Sequence, residues 1–456
     1  MNREKFSSRL GFVLISAGCA IGLGNVYRFP ILTGSYGGAF FVLIYFCFLL
    51  LLGIPVMMAE LSVGRASQRS IATSFDVLEK PGQKWHLMKI LGIGGNYLLM
   101  MCYTTISSWM LIYFFKYLSG SILTADTAQA AGDVFGAMTL NTPLVAAATV
   151  AVIVIGLAVC SLGLQKGVEK ITKYMMLALF ALMVCLAIYC CTLDKAADGL
   201  RFYLIPSLQN LREAGVWTVI SAAMGQAFFS LSLGMGSIAV FGSYIDRSRR
   251  LTGEAVTIVS LDTFVALMSG LIVFPACFTY NGGVTADAGT VSAGFLFTTL
   301  SAIFNAMPAG RIIGTAFFLF MLFAAMSTVI AVFENIISFW LDMTKLKRRT
   351  VALINIVLIT ALSLPSVMSL GPWSNFKIFG LTIMDLEDKL VSSWILPIGS
   401  LIYVIFCTRR YGWGWKNFLT EVNTGSKGPA LPSWLKGYFT WVLPVIILAV
   451  LAMSVL

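Results

Sequence analysis

Charge is what this chain has least of. Only 11% of its 456 residues are Asp, Glu, Lys or Arg, against about 25% in soluble domains. So few ionised groups cannot clothe a surface that meets water on every side, which excludes an ordinary soluble globule and a solvated disordered chain alike. Histidine is almost missing. The one copy, His86, falls in a loop beside Lys84 and Lys89, so histidine-based zinc, haem or triad chemistry has no second ring to work with. Neither G-x-S-x-G nor H-E-x-x-H occurs, and with them go the common hydrolase and metalloprotease signatures. The nine cysteines contain no C-x-x-C pair and lie mostly in apolar runs, where they read as small buried hydrophobes. Acidic residues are outnumbered by basic ones, 20 to 31, yet the basic residues fall in separate short loops. That distribution excludes a nucleic-acid-binding face.

What the chain does have is apolar length: 58% of its residues are hydrophobic. Stretches of about 20 residues, each enough to cross a hydrocarbon core of about 30 Å, follow one another along almost the whole sequence. Eleven can be drawn, at approximately 11–36, 38–63, 88–118, 142–162, 171–192, 214–244, 252–279, 311–343, 350–369, 378–407 and 434–456. They predict an all-α membrane protein with eleven transmembrane helices. The run that starts at Leu10 is too long for a signal h-region and lacks an A-x-A site, so the first helix is expected to be retained. Lys and Arg cluster at Arg3–Arg9, Arg65–Lys89, Lys166–Lys173, Arg247–Arg250, Lys345–Arg349 and Arg409–Lys436. The intervening loops hold only scattered cations such as Lys195 and Arg212. The positive-inside rule then puts the N-terminus in the cytoplasm and, with an odd number of crossings, the C-terminus outside.

Two of the eleven stretches are interrupted by glycine. The first runs from Ser16 to Pro30 through Gly22-Leu-Gly24-Asn25; the sixth runs from Gly225 to Gly236 through Ser230, Ser232 and Gly234-Met-Gly236. Each interior glycine costs a helix about 1 kcal/mol relative to alanine, so glycines clustered beside polar residues favour local unwinding. Non-helical backbone at membrane depth is tolerated only where it lines an enclosed site or cavity. The two interruptions begin successive groups of five stretches. Gly-interrupted helices in corresponding positions of two halves point to a transporter binding site at their interface. Two inverted five-helix repeats with broken helices 1 and 6 are therefore predicted, over residues 1–192 and 193–410, followed by a cytoplasmic loop and an eleventh helix over 411–456.

At these residues the chain resembles the neurotransmitter:sodium symporter family, whose members have the leucine-transporter-like fold. The resemblance is carried by Gly22-Leu-Gly24-Asn25 with Arg28-Phe-Pro30, Gly37-Gly38-Ala39-Phe40, Gly53-Ile-Pro55, Glu60 to Arg65, Ser108-Trp109, Gln226 to Ser232, Ala324 to Thr328 and Asp385 to Lys389. It covers the chain from Arg3 to about Arg410, and eleven helices fit bacterial members, in a bacterial plasma membrane. The resemblance implies two sodium sites and no organic cofactor. One site would use the Ala20 carbonyl, Asn25, Ser230 and Asp262, together with the carboxylate of the substrate. The other would use the carbonyls of Gly18, Ile21 and Ala324 with the hydroxyls of Ser327 and Thr328. The substrate carboxylate would meet the Leu23 and Gly24 N–H groups and the Tyr103 hydroxyl. Its side chain would lie among Leu99, Phe229, Ser232, Met235, Thr328 and Val332, with Cys19, Ala20, Gly22, Ser230 and Gly236 completing the surround. An aspartate stands at the Gly22 position in monoamine carriers, so a zwitterion is favoured here over an amine.

By the same resemblance Arg28 with Asp388 would form an outer gate and Arg3 with Asp342 an inner one. Asp262 departs from the family's usual Asn. It lies one turn before Ala266 on one helix face, close to where chloride-dependent members hold the anion near Tyr45, Gln226 and Ser230. Chloride independence is expected from it, with a proton carried on the empty return as a further hypothesis. Cys19, Phe6 and Leu177 also depart from the family pattern; Leu177 replaces the proline of a Gly-x9-Pro counted from Gly167, which takes away that hinge in the fifth helix. The function implied is sodium-coupled import of a neutral branched or aromatic amino acid across the lipid bilayer, with no protein partner indicated. A transport-inactive amino-acid sensor of the same fold is the alternative.

Overall fold

The computed structural model describes residues 4–282 and 294–455, and is built of helices; among the described residues the only β pairing is two isolated bridges. Among the described residues nine helices are long and apolar enough to cross a membrane: Ala39–Ser67, Trp85–Ser119, Thr142–Ser161, Leu164–Cys191, Leu251–Tyr280, Gly310–Met343, Arg348–Met368, Ile383–Thr408 and Ser433–Met453. A tenth forms if the pair Arg9–Ala20 and Gly24–Ser35 counts as one span bent by 60°. The break falls at Ile21–Leu23, where the glycines interrupt the apolar run.

The sixth stretch is divided more completely. A helix over Val216–Ser230 stops, the backbone runs without regular structure through Leu231–Gly236, and a short helix over Ser237–Gly242 follows. Ser232, Gly234 and Gly236 take positive φ of 48°, 100° and 86°. Gly234 is required twice over, by that φ and because a Cβ there would sit 2.4 Å from the Leu396 carbonyl oxygen. The freed backbone groups are caught by a neighbouring helix. Glu60, fully buried in Ala39–Ser67, accepts from the N–H groups of Gly234 (2.7 Å), Ile238 (3.1 Å) and Ala239 (3.3 Å). A charged residue in the middle of an apolar helix therefore has a structural return here, three backbone donors at a helix break.

Gly310–Met343 is the most deeply buried of the long helices, and it packs against both Trp85–Ser119 and the first helix. The breaks at 21–23 and 231–236 face it across the interior. The loop after residue 410 is ordered by a buried ion pair: Arg65, fully buried, donates from Nε to Glu421 at 2.7 Å, and from its other nitrogens to the Arg249 and Glu421 carbonyls. This docks the short helix Trp415–Asn423 against the end of Ala39–Ser67. The helix of the fifth apolar stretch, Leu164–Cys191, opens with a π-turn over Leu164–Glu169 and continues unbroken past Leu177. Its Glu169 accepts from the N–H and hydroxyl of both Ser7 and Ser8, tying down the N-terminal segment.

Candidate functional site

The two breaks meet. Val216–Ser230 ends in Ser230, and its hydroxyl lies 2.7 Å from Asp262 Oδ2, to which it donates. Asn25, just past the first break, donates from Nδ2 to Ser230 Oγ (3.1 Å), to Asp262 Oδ1 (2.8 Å) and to the Asp262 carbonyl (3.1 Å). Its Oδ1 accepts from the Gly22 N–H at 3.3 Å. Asn25, Ser230 and Asp262 are all buried, with no side-chain cation within ion-pair distance of Asp262 among the described residues. Exchanging the two ends of the Asn25 amide would turn an oxygen toward Ser230 and Asp262, completing a set of hard oxygens suited to an alkali cation. Ala20 closes the first helix beside them, where last-turn carbonyls lack a helical donor.

A second convergence lies on the other side of the first break. Ser327 Oγ is 3.1 Å from the Gly18 carbonyl oxygen and 2.9 Å from that of Ala324. Thr328 Oγ1 is 3.2 Å from Gly18 O, 3.3 Å from Ile21 O and 3.5 Å from Ala324 O. Two hydroxyls and three carbonyl oxygens from two helices are thus gathered within hydrogen-bond reach, a set of hard oxygens of the kind an alkali cation takes. Both hydroxyls also bond within their own helix, to Ala324 O, as Ser and Thr in apolar helices do. The bonds to Gly18 and Ile21 on the broken helix are what that local habit does not explain.

Between the two clusters lies a small cavity of ≈ 30 Å³, lined among others by Gly22, Leu23, Gly24, Leu99, Tyr103, Phe229, Ser230, Ser232, Met235 and Thr328. That is about the room of one water. Tyr103 OH accepts from the Leu23 N–H at 3.2 Å, and the Phe229 ring is seated against Gly24, where a Cβ would meet it at 2.8 Å. Val391 and Leu396 also line the cavity, residues the sequence did not single out, since both belong to an unremarkable apolar run. Cys19, Gly236 and Val332 lie outside its lining, although all three are buried close by. Gln226, buried beside the cavity, donates to the Gly24 carbonyl at 2.9 Å, while Tyr45 OH donates to Ser230 at 3.2 Å.

The residues expected to act as gates fare differently. Arg28 and Asp388 form no ion pair here: the Arg28 guanidinium stacks 4.3 Å above the centre of the Phe229 ring instead. The Phe229 ring, seated on Gly24, offers its face to the guanidinium, and cation–π contact takes the place of an ion pair with Asp388. Asp342 accepts from the Ser70 N–H at 2.7 Å and faces Arg69 at 3.8 Å. Arg3 lies outside the described residues. Phe6 packs against Phe12, Phe241 and Tyr244, with ring centres 5.7, 6.5 and 5.7 Å away.

Comparison with known proteins agrees with this arrangement. The family model described as the sodium:neurotransmitter symporter family matches residues 3–130 and 137–456. An uncharacterized sodium-dependent transporter of Bacillus subtilis, YhdH, is 31% identical over 438 residues, covering 96% of this chain and 93% of its own. The mouse sodium-dependent neutral amino acid transporter B(0)AT2 is 28% identical over 305 residues, 60% of this chain and 40% of its own. Among solved structures, MhsT in complex with L-phenylalanine superposes with a TM-score of 0.86 at 34% identity, each chain covered completely. A match over nearly the whole chain, on a bundle whose two broken helices meet at a buried oxygen-lined site, leaves one assignment: this chain is a sodium-dependent transporter, not an enzyme, and belongs to the sodium:neurotransmitter symporter family.

Proposed function

We propose that the chain imports a neutral hydrophobic amino acid, branched or aromatic, together with sodium, by exposing one central site alternately to the two sides of a bacterial plasma membrane. The observation that carries this reading is the pair of oxygen clusters flanking a cavity whose wall contains the Leu23 and Gly24 backbone and the Tyr103 hydroxyl. Backbone N–H groups at a helix start and a phenol suit a carboxylate, and an apolar wall suits a hydrophobic side chain. Two sodium ions are proposed. One is held by Ala20, Asn25, Ser230 and Asp262 with the substrate carboxylate, the other by Gly18, Ile21, Ala324, Ser327 and Thr328. Cys19, Gly22, Leu99, Phe229, Ser232, Met235, Gly236 and Val332 surround the substrate. Asp262 supplies in the protein the negative charge that an anion would otherwise bring, so import is chloride-independent.

In this reading the sixth stretch also crosses the bilayer, giving eleven crossings, with residues 1–192 and 193–410 as inverted repeats and 411–456 as a cytoplasmic loop and last helix. The N-terminus is cytoplasmic and the C-terminus outside. Arg28 leaves the Phe229 face to pair with Asp388 as the outer gate, and Arg3 with Asp342 forms the inner one. Two charges entering with a zwitterion gain about 4.6 kcal/mol from a field of about 100 mV, enough to concentrate substrate about 10³-fold.

The test is uptake of labelled amino acids into proteoliposomes under an inward sodium or potassium gradient, with chloride or gluconate outside. Sodium-dependent, chloride-indifferent accumulation is the expected result. Sodium-dependent binding without accumulation would make the protein a sensor, and a requirement for chloride would remove the role given to Asp262.

A further inference from the structure

Beyond the apolar wall of the cavity, on the side away from Tyr103, each element around the site turns polar at its next inward position. Asn96 stands three residues before Leu99 and seven before Tyr103; Asn335 stands three after Val332 and seven after Thr328. Steps of three and seven share a helix face. Cys19 lies three residues before Gly22, and Ser237 two after Met235. Asn96, Asn335 and Ser237 are each at most 1% exposed.

Their hydrogen bonds are almost closed. Asn96 Nδ2 donates to the Met235 carbonyl (3.1 Å) and the Gly92 carbonyl (2.6 Å), and Ser237 donates to Asn96 Oδ1 at 3.3 Å. Asn335 Nδ2 donates to Ser237 Oγ (3.2 Å) and to the Met235 carbonyl (3.4 Å). One atom is left over: Asn335 Oδ1 is buried with no partner. An amide oxygen orphaned in this way destabilises the fold, because it gives up its hydrogen bonds to water and gains none in return. The two asparagines brace the Met235 carbonyl through their nitrogens; that bracing gives no reason for the spare acceptor.

Length identifies what could use it. Tyr103 and Asn96 are seven residues apart on one helix, about 10 Å at 1.5 Å per residue, close to the reach of an aromatic amino acid from its carboxylate to the far end of its ring. We propose that this polar floor reads the tip of the substrate: Asn335 Oδ1 accepts a hydrogen bond from a phenol O–H or indole N–H. The chain therefore prefers aromatic amino acids that carry such a donor over phenylalanine and over aliphatic ones. The Met235 side chain, unbranched and fully buried between wall and floor, swings aside to admit the ring. Discrimination of this kind is favourable because a substrate without the donor leaves the buried acceptor unpaired.

The inference rests on the amino-acid reading above, and the test separates the two. Binding of tyrosine, O-methyltyrosine, phenylalanine and leucine to the purified protein is measured in sodium and in potassium. Tyrosine binding at least about tenfold tighter than phenylalanine and O-methyltyrosine is expected, with the preference falling to near unity in Asn335→Leu while phenylalanine binding holds within about threefold. Phenylalanine or leucine bound in sodium with tyrosine no tighter overturns the floor alone, and so does an undiminished tyrosine preference in Asn335→Leu. No sodium-dependent binding of any of the four overturns the amino-acid reading and the floor with it. Should the variant bind nothing, tyrosine against O-methyltyrosine in the unaltered chain decides.

Discussion

Alanine at Gly22 puts the carboxylate end of the site to a quantitative test. An added Cβ would lie 2.7 Å from the Tyr103 hydroxyl, closer than a carbon tolerates, and 3.0 Å from Thr328 Oγ1, a tight contact that a small shift relieves. The Tyr103 ring is buried and its hydroxyl already accepts from the Leu23 N–H, so the phenol must back away from the place where it would meet a substrate carboxylate. Losing one hydrogen bond to a charged group costs about 1.5–3 kcal/mol, which at 1.4 kcal/mol per decade is a rise in Kd of about 10- to 150-fold. Because Thr328 also belongs to the second oxygen cluster, the sodium concentration for half-maximal binding should rise with it. The control is Gly225→Ala, in the sixth stretch, where a Cβ would meet nothing within 4 Å. Alanine there should leave Kd unchanged and the protein equally or more stable, since a helix favours it over glycine by about 1 kcal/mol. Equilibrium binding of labelled phenylalanine in saturating sodium measures both. A folded Gly22→Ala protein that binds within about threefold of the unaltered chain would refute the placement of the carboxylate.

Three further outcomes follow from the geometry. Ser327→Ala removes one of the five oxygens and should raise the sodium concentration for half-maximal binding about tenfold, the loss of one oxygen ligand being comparable in size to that of a charge-assisted hydrogen bond; a sodium titration unchanged from the original would argue against that cluster as a cation site. Asp262→Ser withdraws the buried carboxylate next to Ser230 and Asn25, and uptake should become dependent on external chloride, read by gluconate replacement. Glu421→Ala leaves the fully buried Arg65 without its carboxylate, which should destabilise the protein by about 3–5 kcal/mol, seen as a lower Tm in detergent. Substrate affinity at temperatures well below that Tm should be little changed.

Much of this protein was legible in its sequence, for a reason particular to membranes. Where lipid is the solvent, every backbone polar group must be satisfied inside its own segment, so apolar length reports helices almost directly and a glycine cluster reports the rare place where the helix gives way. The two breaks stand where Gly22-Leu-Gly24 and Gly234-Met-Gly236 put them, and the residues named for the second cation cluster lie together around Ser327 and Thr328. Their helical spacing set them on one face, while the freed carbonyls of Gly18 and Ile21 came with the break itself.

What the sequence left undecided depends on contacts between segments far apart in the chain. Nothing in the apolar run around Glu60 says that its carboxylate holds the backbone of residues 234–239, more than 170 positions later. An isolated charge in the middle of an apolar helix was the only signal, and it does not name its partner. Asn96 and Asn335 give a fainter one, a polar residue one turn past Leu99 and Val332; only packing brings both amides to the Met235 carbonyl. The stacking of Arg28 on Phe229 in place of an Arg28–Asp388 pair likewise depends on where the Phe229 ring rests. Apolar length and glycine placement fixed the helices and their breaks, because those are local free-energy choices made against lipid, and the motifs from Gly22 to Lys389 carried the family resemblance. Which carboxylate steadies the break, which acceptor is left unpaired and which partner Arg28 takes were decided by the tertiary structure, because each depends on distances between helices that no local pattern contains.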